Sequence, residues 1–379
     1  MKNTNVAPER LPYLDHLRSL VIALVVVMHS NVTYSGMGGW FYKEGSPDQL
    51  DVLSRVLFGF YGSFTQAWFL GALFFVSAYL SVLSLRRKGT ARFVRDRLVR
   101  LGLPLLFYVA VVHPLTVYWF AGGAVKGDLL AFLGYWFGEF RFVGGTGPLW
   151  FVEVLLVFDL LYAGVRGLIR PREGEASAPR FGAVFLLVTV TAAGAYGLRL
   201  FWPIGTDVAN LQFGFFASYI VLFLVGLHAG ERGWFVRLAE DGRRWLTLAI
   251  AAGVPSWVVL MVAGGALSGM PPIWGGFYWQ SAAYAVWESF VAVTMTLGLV
   301  GVFQKNLGAE NRLTRYINAR SFGIYVLHAP VLVGISLLAA GLELPMLLKH
   351  VIIAPLAWLC SLAVSDLASR VPVLRKILR

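Results

Sequence analysis

Two residues on the first long apolar run have types and spacing suited to chemistry. Arg18 and His29 stand eleven positions apart in LPYLDHLRSLVIALVVVMHSNVTYSG, residues 11–36. Eleven steps of ~100° nearly close three helical turns, so both side chains share one face, ~16 Å apart along the axis. Asp15 lies three before Arg18, at a spacing that allows pairing on that face. Ionisable groups inside an apolar span are costly and usually functional. Histidine offers proton transfer near neutral pH.

A second cluster follows in SLRRKGTARFVRDRLVRLGLPLLF, residues 84–107. Arg92 and Arg95, then Arg97 and Arg100, are pairs three apart, which is helical-neighbour spacing. The segment reads as a topology anchor. Arginines gathered at a helix start also suit polyphosphates and lipid head groups. Weaker intramembrane candidates are Glu153, Asp159, Glu288 and His328, each of which also reads as a structural buried group. His113 and His228 fall near helix ends, where a wetted or capping role fits. His16 and His350 read as interfacial. Cys360, the single cysteine, reads as a small buried hydrophobe. No Cys/His cluster offers a metal site.

The elements that carry these residues must be membrane spans. Of 379 residues, 58% are apolar and 14% charged, against roughly half and a quarter in soluble domains. The mean hydropathy is +0.69. A disordered chain, a disulfide-stapled module and an ordinary soluble enzyme are thereby excluded. Runs long enough to cross a bilayer lie near 17–35, 64–85, 101–121, 148–169, 181–202, 213–230, 245–264, 281–303, 322–342 and 347–368. The first reads as a span rather than a removable leader. The segment 128–142 is apolar but too short to cross, and is expected to be re-entrant or interfacial. The expected fold is all-α: one polytopic bundle of about ten spanning helices over 1–379, without a separate soluble domain.

The net charge of +12 does not point to nucleic acid, because the basic residues fall between apolar runs. Twenty-five Lys and Arg lie in loops on one side of the ten-helix arrangement, including Lys2, Arg10, the seven of 86–100 and the four of 166–180. The other side has Lys43, Arg55, Lys126, Arg141 and Lys349. Arg199 falls at the edge of a span. This bias predicts that both termini are cytoplasmic.

The ordered motifs resemble membrane-bound acyltransferase family 3. Leu14–Arg18 followed by His29 is similar to its Arg, ten residues, His signature. Phe74–Leu80, FFVSAYL, resembles a second-helix stretch, with Ala78 where Gly is usual and Ser77 before it. Phe93, Arg95, Arg97, Arg100, Leu101 and Pro104 resemble its arginine-rich segment. Gly147–Phe151, with Trp150, resembles a mid-chain helix start. Tyr325, His328 and Pro330 resemble a late YxLHxP. Residues 211–234 look like the central helix of the glucan-modifying branch. The chain departs from the WSLxxE arrangement of one large branch and lacks an esterase-like extracytoplasmic domain.

The resemblance implies O-acyl transfer from cytoplasmic acyl-CoA, acetyl or succinyl, to a hydroxyl of a glycan, glycolipid or lipid-linked acceptor. It implies His29 and Arg18 as catalytic positions, with Arg92, Arg95, Arg97 and Arg100 holding the CoA. Asp15, Ser77, Trp150, Glu288, Tyr325 and His328 are expected to support them. His29 as general base and a covalent relay through Ser30 or His29 both remain open. Acyl-CoA as donor, no metal, no nucleic acid and a bacterial cytoplasmic-membrane location complete the expectations. Outer-loop aromatics (Trp40, Tyr42, Tyr135, Trp136, Trp202, Trp274, Trp279) suit sugar stacking or an interfacial belt. A secondary transporter or flippase using the intramembrane His, Asp and Glu is the competing class. Paired halves with matched broken helices are not evident.

Overall fold

The computed structural model describes residues 11–120, 128–168, 180–233 and 235–378. Lys2, Arg10, Lys126, most of the 166–180 basic loop and Arg379 lie outside them. Ten helices are long and apolar enough to cross a membrane, and no β-strand occurs among the described residues. The chain is an integral membrane protein built as a helical bundle.

The helices are α1 Pro12–Ser35, α2 Val52–Lys88, α3 Thr90–Phe120, the short α4 Leu129–Gly138, α5 Trp150–Leu168, and α6 Phe181–Arg199. They continue with α7 Phe216–Arg232, α8 Phe235–Ala263, α9 Trp279–Asn306, the short α10 Arg312–Asn318, α11 Ser321–Leu338, α12 Met346–Arg370 and α13 Pro372–Ile377. At ten residues α4 spans only ~15 Å, in keeping with the expectation that 128–142 does not cross.

Two spans outrun the apolar stretches that announce them. α2 begins at Val52 because Asp51 caps it. The Asp51 carboxylate accepts from the Ser54 backbone N–H at 2.9 Å and from the Ser54 hydroxyl at 2.5 Å. These bonds hold its carboxyl below the usual range. α3 absorbs the arginine segment and contains two π-helical turns, Leu98–Gly102 and Tyr108–Val112. Pro104 and Pro114 follow these turns by two residues. Each proline lacks the N–H that the carbonyl four residues back would accept, and the wider turn takes up the mismatch.

α1 lies at the centre, packed against α2, α9, α11 and α12. Its buried aliphatic face includes Leu17, Val21, Val25 and Val26. The tightest neighbours are α8 and α9, where a Cβ on Gly242 would lie 2.6 Å from the Gly301 Cα. Small residues of this kind let membrane helices approach backbone to backbone.

The loops define two ends. At one end Ile204 N donates to Trp274 O at 2.7 Å, and Asn210 Nδ2 donates to Gly147 O at 2.8 Å. At the other end Arg86 and Arg166 both bind Glu231. The first is called here the loop end and the second the arginine end. Cys360 is half-buried on α12 rather than in the core.

Candidate active site

His29 comes to rest against His328 of α11. Its Nδ1 lies 2.8 Å from the His328 Nε2. The His328 Nδ1 lies 2.7 Å from the Tyr325 backbone oxygen. A carbonyl can only accept, so the His328 Nδ1 carries the proton. In neutral His328 the Nε2 is then an acceptor, and the His29 Nδ1 must donate to it. The proton on His29 is thereby fixed at Nδ1, and the Nε2 keeps a lone pair. That nitrogen takes no hydrogen-bond partner among the described residues. His328 is fully buried, whereas His29 retains a partly open surface.

The Trp40 indole covers one face of His29, with ring centroids 3.9 Å apart and planes within 10°. The loop that carries Trp40 is tied down by short links. Glu44 N and Gly45 N both donate to Thr33 O, at 2.8 and 3.2 Å. Gly45 must lack a Cβ, which would lie 1.9 Å from the Tyr34 oxygen. Lys349, 3% exposed, pairs with the Glu44 carboxylate and donates to the carbonyls of Ala339 and Ala340 at 3.2 and 3.3 Å. All three ammonium protons thus have acceptors, which makes burial of this cation tolerable. The Thr33 hydroxyl returns a bond to His29 O at 2.9 Å.

The other expected residues fall into separate places. Arg18 pairs with Asp15 at 3.3 Å, on the α1 face toward the arginine end. Tyr325 donates from its hydroxyl to Pro148 O, which ties α11 to the turn before α5. Trp150 packs on Tyr219 and Phe216, away from His29. Glu288 forms a buried ion pair with Arg199, whose Nε also donates to Gly214 O at 3.0 Å. Neither partner of that pair bonds to His29 or His328. Glu153 is half-buried in the first turn of α5.

The four arginines divide. Arg92, Arg95 and Arg100 line an open depression of about 680 Å3 with Ala91, Asp96 and Val99. Arg97 turns inward, with its Nε 3.0 Å from the fully buried Asp159 and its second nitrogen 2.9 Å from the Ser81 hydroxyl. The Ser81 hydroxyl reaches Asp159 Oδ1 at 2.6 Å and the Ser77 carbonyl at 2.8 Å. Arg97 and Asp159 therefore fix the start of α3 against α2 and α5.

His350 is half-buried near the start of α12. Its Nδ1 lies 3.0 Å from the hydroxyl of the fully buried Ser30. His16 bonds instead to Leu307 O at 3.0 Å. The His29–Trp40 stack and the Glu44–Lys349 tie were not foreseen. A lysine at the start of an apolar helix, where a free cation is costly, was the available signal for the tie. Among the described residues no group of three or more His, Cys, Asp or Glu is placed to hold a metal.

A family model described as an acyltransferase domain, that of acyltransferase family 3, matches residues 11–370. The chain belongs to this acyltransferase family. No curated protein and no solved structure matches it. The match spans all ten membrane helices and includes His29, His328 and the α3 arginines. It makes the chain a membrane acyltransferase, and the transporter reading falls away.

Proposed function

We propose that this acyltransferase moves an acyl group, acetyl or succinyl, from acyl-CoA to a hydroxyl of a glycan, glycolipid or lipid-linked acceptor. The observation that carries the reading is the unpartnered Nε2 of His29 at the end of the Tyr325–His328–His29 chain. An alcohol is a weak nucleophile at neutral pH, and a positioned base contributes ~10²–10⁴-fold. The His29 Nε2 takes the hydroxyl proton as the oxygen attacks the thioester carbonyl. The C–O bond forms, the C–S bond breaks, and the leaving thiolate takes the proton back as CoA thiol. The Nδ1–H to His328 orients the ring throughout. Ser30 is fully buried and bonded to His350, which favours direct transfer over a relay through its hydroxyl.

Arg92, Arg95 and Arg100 suit the phosphates of the donor, and Lys/Arg bias assigns that end to the cytoplasm. Arg18, ~16 Å along α1 from His29, serves the donor side of the path rather than the reacting carbonyl. The test is CoA release by the purified protein in lipid, with acetyl-, succinyl- and longer acyl-CoAs and a glycolipid extract. The reading expects release that needs both donor and extract. No release with any donor overturns it.

A further inference from the structure

The loop after α1 folds back on the helix it leaves. Gly36 ends α1 at φ +72°, and a Cβ on it would lie 2.5 Å from the Gly45 carbonyl oxygen. Glu44 N and Gly45 N close the loop on Thr33 O. Between these anchors, residues 38–43 take no backbone hydrogen bond among the described residues. Rings set their place instead. Trp40 lies on His29, and Phe41 meets His113 of α3 edge-on at 5.1 Å. His29 stands seven residues before Gly36, so the indole is carried back ~10 Å along α1.

The indole meets the histidine pair as a unit. The His29 and His328 rings are joined through Nδ1 and Nε2, with their planes within 7°. Trp40 is parallel to both, 3.9 Å from the His29 centroid and 6.1 Å from that of His328. Its Nε1 is buried without an acceptor among the described residues, and an unsatisfied buried donor calls for a reason. One hydrogen bond at Nδ1 leaves an imidazole free to tilt about that contact. A flat ring laid on its face removes the tilt and fixes where the Nε2 lone pair points. The same indole keeps water off that face.

We propose that Trp40 is the positioning residue that directs His29 to the acceptor hydroxyl and away from water, and so decides transfer against hydrolysis of the donor. The inference rests on the acyl-transfer reading and adds a specificity residue to it. Water in place of the alcohol loses its proton to the same Nε2 and attacks the same carbonyl. The C–O bond forms, the C–S bond breaks, and the thiolate takes the proton from His29. The acid so formed leaves as its carboxylate, with its proton passing to solvent. Closed sites suppress side reactions of this kind by excluding water.

The test uses the full chain in lipid, with acetyl- and succinyl-CoA labelled in the acyl group and a glycolipid extract. Free carboxylate and extract-bound label are counted separately. Trp40→Leu keeps an apolar side chain and removes the flat face; it is expected to raise the ratio of hydrolysis to transfer about tenfold. Trp40→Phe keeps a flat ring over His29 without the reach toward His328, and is expected to raise the ratio less. Adding His29→Ala to Trp40→Leu is expected to abolish the extra hydrolysis. Acyl-CoA binding, read by calorimetry, is expected to stay unchanged and serves as the check on folding. An unchanged ratio in folded Trp40→Leu overturns the inference. Where that variant binds no donor, an unchanged ratio in Trp40→Phe overturns it. Extra hydrolysis that survives His29→Ala overturns it as well. No label transferred by the wild type overturns the acyl-transfer reading itself, and the inference with it.

Discussion

Nδ1 of His29 lies 2.8 Å from Nε2 of His328, across 299 positions of chain. This one contact converts a histidine on an aliphatic helix into an oriented base. Its direction is set by a third group, the Tyr325 carbonyl at 2.7 Å from His328 Nδ1. Replacing His328 by Ala removes the acceptor and leaves the His29 N–H unpaired. An unpaired buried donor costs about 1–3 kcal/mol. Turnover is therefore expected to fall about ten- to a hundredfold, with acyl-CoA affinity unchanged. Steady-state kinetics with the donor varied check this, and a shift confined to the donor KM would contradict it.

The Glu44–Lys349 pair governs the Trp40 loop. Lys349→Met leaves the Glu44 carboxylate without its cation in a buried site, a change worth about 3–5 kcal/mol. Thermal unfolding in detergent should show a lowered Tm. The double variant Glu44→Gln, Lys349→Met should recover part of the loss. No difference between single and double variants would refute the tie.

The Arg199–Glu288 pair is expected to matter for stability and not for chemistry. Glu288→Ala leaves Arg199 buried without its carboxylate and should lower the Tm as strongly, again about 3–5 kcal/mol. The surviving folded protein should turn over at the wild-type rate per active molecule. An unchanged Tm with lost activity would instead place Glu288 in the reaction.

The α3 arginines should separate by role. Arg92→Gln, Arg95→Gln and Arg100→Gln are each expected to raise the acyl-CoA KM several-fold, up to about tenfold, the worth of one charge-assisted hydrogen bond. Added salt should narrow the difference from wild type. Arg97→Gln should act through folding, because it strips the cation from buried Asp159. Matching KM effects at Arg97 and its three neighbours would refute the division.

Much of this was readable along the chain because it depends on local composition. Ten apolar runs gave ten spans, and the eleven-residue spacing put Arg18 and His29 on one helix face. The 128–142 segment was too short to cross and forms α4. What required three dimensions was pairing between distant residues. Nothing near His328 announces His29, and nothing near Glu288 singles out Arg199. Asp159 and Arg97 meet only because α3 folds back along α5. Trp40 looked like any outer-loop aromatic until two backbone bonds to Thr33 laid it on the His29 ring. The run 101–121 read as one plain span, and the sequence did not show that π turns would accompany Pro104 and Pro114. His350 showed no partner in the sequence, and only the packing of α12 on α1 brings it to Ser30.

The central claim is that the His29 Nε2 takes the proton of the acceptor hydroxyl. The most direct test compares wild type with His29→Ala for acyl-CoA binding and for acceptor-dependent CoA release in the same lipid preparation. The account predicts wild-type binding together with a ~10²–10⁴-fold loss of release. Near-normal release by folded His29→Ala would contradict it and move the base elsewhere.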